Sequence, residues 1–192
     1  MRRCELISAV VALALFSALA ASGQSAPALS GGNQHLQAGV EFSAFDTDVA
    51  FHPWEYGVGA YLDIDGWHRL GIELEGRTIQ FDEQDNTRQD IASGGFRYVL
   101  HRGSRFRPYA KALAGLGSAD FYGGTYKYHP DRHHDTFSTV TAGGGLDYAV
   151  SPHFILRADY EYQFWFDYGR GALGGKGTVN PTGVSLGAGW RF

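Results

Sequence analysis

Two pairs of acids stand two residues apart, Glu73 with Glu75 and Asp159 with Glu161, and each pair has the residue types of a general acid and a general base. A second constellation, His129-Pro130-Asp131-Arg132-His133-His134-Asp135, offers three imidazoles and two carboxylates, a donor set suited to zinc, copper or nickel. The spacing argues against both chemistries. Residues i and i+2 share one face of a strand, and Arg77, Arg97, Lys111 and Arg157 fall on corresponding faces, so the acids read as members of an ion-pair network. Pro130 and the nearby Gly123-Gly124 oppose a helix that would align His129 with His133, and the segment reads as a polar loop tip. No catalytic, cofactor-binding or metal-binding residue is assigned. The glycine run Gly143 to Gly145 has no helix after it and is not a phosphate cradle.

The elements that position these charges are strands. Apolar residues recur at every second position in about eight stretches. The first runs from about Gln34 to Phe45, with Leu36, Ala38, Val40, Phe42 and Ala44 opposite Gln37, Gly39, Glu41 and Ser43. The second, about Trp54 to Ile64, ends in the tight turn Asp65-Gly66. Others follow at about Arg69 to Phe81, Ala92 to Leu100, Pro108 to Ser118 and Phe137 to Val150. The seventh is the clearest: Phe154, Leu156, Ala158, Tyr160, Tyr162, Phe164 and Phe166 oppose Arg157, Asp159, Glu161 and Gln163. The last sets Val184, Leu186, Ala188, Trp190 and Phe192 on one face.

Short connections (Asp65-Gly66, His101 to Arg107, Ser151 to His153) alternate with longer ones (Asp46 to Pro53, Phe81 to Asp90, Ala119 to Thr136, Asp167 to Pro181). That alternation, with strands of about ten residues, predicts an all-β, closed antiparallel up-and-down transmembrane barrel.

Charge decides which face looks inward. Glu41, Glu73, Glu75, Arg77, Arg97, Lys111, Asp147, Arg157, Asp159 and Glu161 all oppose the aliphatic and aromatic face. Eight strands leave room only for side chains or one small ligand, so the many rings belong outside against lipid and the charges inside as a plugging network.

Arg2 and Arg3 precede an apolar run from Leu6 to Leu19, which reads as a secretory signal peptide over residues 1–23, with a short segment at 24–33 and the barrel at 34–192. Cys4, the single cysteine, lies in that leader, leaving the barrel without a disulfide. The net charge of −4 excludes a nucleic-acid partner. Mean hydropathy is −0.23, and after the leader no apolar stretch approaches the roughly 20 residues of a membrane helix.

The hairpin Gly143 to Asp147-Tyr148, through Ser151-Pro152, to Leu156-Arg157-Ala158-Asp159-Tyr160-Glu161-Tyr162, together with the ending Gly187 to Phe192, resembles the small outer-membrane β-barrel family of OmpA-type transmembrane domains and porin-like relatives. The resemblance implies the outer membrane as location, with both termini periplasmic. It also implies contact with outer-membrane lipid and lipopolysaccharide, and assembly by the barrel-assembly machinery through Gly187, Trp190 and Phe192. A monomer is expected, with a structural or surface-interaction role through its loops and an extracellular ligand as a further partner. A narrow gated pore is the alternative, and a lipid-modifying enzyme the third reading. Outer-membrane lipid A deacylases use a His and a Ser two positions apart, and no His-x-Ser occurs here.

Overall fold

A strand with one greasy and one charged face cannot satisfy its backbone groups alone, and in lipid every edge must be paired; closing the sheet on itself meets both demands. The computed structural model describes residues 35–48, 54–66, 68–80, 88–101, 105–121, 133–166 and 178–192. The strands are β1 (His35–Asp46), β2 (Glu55–Asp65), β3 (Leu70–Gln80), β4 (Arg88–Val99), β5 (Phe106–Phe121), β6 (His133–Ala149), β7 (Phe154–Phe166), β8 (Thr178–Val179) and β9 (Thr182–Arg191). Each long strand pairs antiparallel with its sequence neighbour, and β9 pairs with both β7 and β1, closing an eight-strand barrel. At the closure Gln37 lies opposite Arg191 and Asp46 opposite Thr182.

The two-residue β8 extends the last strand. Val179 and Thr178 pair with Trp165 and Phe166, and Pro181 separates them from β9 because it has no N–H for the ladder. The Pro181 carbonyl still accepts from Gln163 N at 2.8 Å, so the strand keeps its course past the break.

Several connections are tighter than the sequence pattern predicts. β5 continues to Phe121 and β6 begins at His133, so the ladder takes up both ends of the expected Ala119 to Thr136 loop. β4 starts at Arg88, and β8 lies inside the expected Asp167 to Pro181 loop. At the opposite end the turns are short. In the β6–β7 turn, Ser151 Oγ accepts from Phe154 N at 2.9 Å, a hydroxyl standing in for a backbone acceptor.

The outer face is apolar across the middle of the barrel: Phe42, Val58, Leu74, Phe96, Leu116, Tyr160 and Leu186 are exposed, and along β7 every second residue is buried. Along β7 the exposed rings run from Phe154 to Phe166, and at about 3.3 Å per residue with a tilt near 40° they span about 30 Å, the thickness of a bilayer's hydrocarbon core.

Candidate functional site

Period two sends the charges of seven strands into one bore, and the closing register decides which meet. Lys111, on β5, reaches across to four carboxylates: Glu73 (3.0 Å), Glu75 (2.9 Å), Asp159 (2.6 Å) and Glu161 (2.6 Å). Arg77 holds Glu41 and Glu161, each at 2.8 Å, and Glu75 as well. Nearer the short turns, Arg97 and Arg157 share Asp63 and Asp147; Arg97 Nη1 lies 2.6 Å from Asp63, and Arg157 Nε lies 2.9 Å from Asp147. Glu73 joins the two groups, with Arg97 Nε and Arg157 Nη1 each 3.7 Å away.

The ten charged residues singled out from the alternation thus stand in one connected cluster, which Asp63 and, at 3.9 Å from Arg97, Asp65 also join. Each is at most 6% exposed, and both acid pairs lie among the cations of the bore. Because a buried charge is costly unless paired, a cluster in which every cation serves two or more acids holds its strands in one register.

Rings cap these cations from inside. Arg157 lies 3.6 Å over Tyr61, Arg97 3.9 Å over Tyr109 and Arg77 4.4 Å over Phe45, the geometry of cation–π attraction. Glycines make the space. A Cβ on Gly39 would sit 2.4 Å from Tyr61 Cζ, and one on Gly189 would sit 2.3 Å from its hydroxyl.

The charged network does not fill the whole bore. Toward the loop end Ile91, Ala119, Phe137, Trp165 and Val179 form an inward apolar cluster, with Trp165 only 1% exposed. Its indole lies against Gly117, where a Cβ would come within 2.4 Å of Cη2, and its Nε1 donates to Gln163 Oε1 at 3.0 Å. Gln163 Nε2 in turn donates to Glu161 at 3.1 Å, joining the apolar cap to the charged layer. Parity was the available signal, since Trp165 shares the face of Glu161 and Gln163, and Phe137 that of Thr139 and Thr141. The bulk argument that places rings outside hid it, because it takes no account of glycines opposite them.

Gly187 lies opposite Glu41 and Arg157 in the flanking strands, Trp190 is half exposed and stacks on His153 (5.3 Å, 12° between planes), and Phe192 N donates to Leu36 O at 2.9 Å. Of the histidine constellation, His133 and His134 belong to the β6 backbone, opposite Phe121 and Asp120, instead of to a loop; His129 lies outside the described residues, as do residues 1–34 with the predicted leader.

The family model for the outer membrane protein beta-barrel domain matches residues 8–192. Among solved structures, the chain is similar to Neisserial surface protein A (15% identity, covering 84% of this chain and 98% of that one, TM-score 0.64). It is also similar to Ail, the attachment invasion locus protein of Yersinia pestis (18%, 83% and 97%, TM-score 0.54). A third is a major outer membrane protein from Thermus thermophilus (13%, 82% and 99%, TM-score 0.51). A comparison with curated protein sequences finds no match. At these identities the likeness is one of fold.

Proposed function

The chain belongs to the outer membrane protein β-barrel family, and from that premise we propose that it is a closed, non-conducting barrel acting as a structural and surface-interaction protein through its loop end. The observation that carries this reading is the doubly filled bore: the ion-pair cluster about Lys111 and Arg77, and above it the Trp165 cap. A pore needs a continuous wet path, and neither layer leaves one for a solute. The filled interior is a rigid stand, and the longer connections are what it presents.

In this reading the segment 1–23 is cleaved after export, both termini face the periplasm, and the barrel-assembly machinery reads Gly187, Trp190 and Phe192. The barrel is a monomer bounded by lipid and lipopolysaccharide, and it carries out no chemistry. Ail has been crystallised with sucrose octasulfate, a heparin analogue, so a sulfated glycan is a sensible first extracellular ligand to try. Here Lys127, Arg132, Arg170 and Lys176 lie in the third and fourth loop segments, while the second carries Asp82, Glu83 and Asp85.

Planar-bilayer recording of the refolded protein tests the closed bore, with no single-channel steps expected in wild type or in Arg157→Ala. Reproducible steps in wild type would replace this reading with that of a narrow gated pore. For the surface role, cells expressing the protein should bind heparin-coated or matrix-coated plates, and excision of residues 122–132 should remove that binding. Unchanged acyl chains in lipopolysaccharide incubated with the protein are expected by mass spectrometry.

A further inference from the structure

At the short turns the described side chains that reach solvent are basic. Among the described residues, the short-turn rim exposes His68, Arg69, His101, Arg105 and His153 and no Asp or Glu side chain, its Asp65 being buried. Toward the longer connections the described residues include Asp46 and Asp48 after β1, and Asp90 on β4 paired with Arg88 at 2.8 Å. The bases of the short-turn rim sit beside rings that face lipid. Arg105 precedes Phe106, which packs on Tyr148 at 4.8 Å, and His153 stacks on Trp190. Such rings settle at headgroup level, so the bases beside them stand at the depth of lipid phosphates.

Arg69 is the best-formed case. It follows His68, which has a positive φ of 54°, in a turn tied down by Gly66 N donating to Leu70 O (3.2 Å) and Val99 N donating to Arg69 O (2.8 Å). Its Nη1 donates to the Leu100 carbonyl at 3.1 Å, which orients the guanidinium and leaves its remaining N–H groups turned away from that bond. His68, Arg69, Leu70 and Tyr98 line a hollow of about 320 Å³. One wall is cationic, and the other is apolar and continuous with the lipid-facing surface. That is the outline of a phospholipid's phosphate and first methylenes.

We propose that the short-turn rim binds anionic glycerophospholipid, with Arg69 taking the phosphate and Leu70 and Tyr98 the upper acyl chain, and with Arg105 holding a second phosphate two strands away, about 10 Å along the rim. Guanidinium geometry suits a phosphate pair of oxygens, and a zwitterionic lipid would bring its ammonium against the same bases. The inference rests on the barrel lying in a bilayer, and it holds whichever compartment this rim faces. Channel steps in the conductance experiment would overturn the closed bore and leave this site untouched.

Native mass spectrometry of the detergent-solubilised full chain tests it, with phosphatidylglycerol and phosphatidylcholine of matched acyl chains in equal amounts. Wild type should retain phosphatidylglycerol at least about threefold over phosphatidylcholine, with the preference falling as salt rises. Arg69→Gln with Arg105→Gln should bring the ratio near one, while Arg88→Gln at the other rim should leave it unchanged. Heat-modifiable gel migration verifies that each variant is folded; if the double variant is not, Arg69→Gln alone should cut the preference by about half. Equal retention of both lipids by wild type, or a preference that survives loss of the two arginines, would overturn the proposal.

Discussion

Lys111→Met removes one charge from the bore and keeps nearly the same side-chain length, so it isolates electrostatics from packing. Lys111 is 5% exposed and lies within 3.0 Å of four carboxylates. At an effective dielectric near 20, each contact at this range carries a gross attraction of about 6 kcal/mol, most of it offset by the cost of taking the ions out of water. The variant removes the one cation that all four acids share and leaves their mutual repulsion. Arg77 still serves Glu75 and Glu161, and Glu73 keeps only the longer contacts to Arg97 and Arg157.

Removing one partner of a buried pair costs about 3–5 kcal/mol, and the variant should fall in that range. The assay is urea unfolding of the protein folded into lipid vesicles, followed by tryptophan fluorescence and by gel mobility without boiling, with both probes giving one transition. Acidification supplies the sign. Protonating the stranded carboxylates removes the repulsion, so the deficit relative to wild type should narrow as pH falls toward about 4, the ordinary carboxylate range. A loss below about 1 kcal/mol, the size of an exposed pair, would mean that water screens the bore, and the rigid-plug reasoning would fail with it.

Trp165→Ala should cost about 3–5 kcal/mol as a large-to-small change in a packed cluster, yet leave bilayers silent, because the Arg77 and Lys111 layer still fills the bore beneath. Gly117→Ala places a methyl against the indole at 2.4 Å and should destabilise by about 1–3 kcal/mol; Trp165→Leu in the same chain should recover most of it in a double-mutant cycle on the unfolding midpoint. The Arg88–Asp90 pair, with side chains 41% and 33% exposed, should be worth less than about 1 kcal/mol, so Arg88→Ala should leave the same midpoint almost unmoved.

Much of this architecture is written in period two. In β7 the seven alternating apolar residues and the interleaved Arg157, Asp159 and Glu161 assign every side chain to a face, because a strand turns its side chains by half a revolution per residue. The narrow bore of about eight such stretches then put the acids and bases inside and most rings outside. Parity assigns a side and no neighbour. That Lys111 meets Asp159 from β7 as well as Glu73 from β3, or that β9 closes on β1 with Gln37 opposite Arg191, depends on the stagger accumulated around the whole ring, which no single strand encodes. The inward turn of Trp165 onto Gly117 is of the same kind. The Trp165 ring fits the narrow bore because β5, two strands away, offers a residue without a side chain, and that coincidence appears only once the strands stand in register.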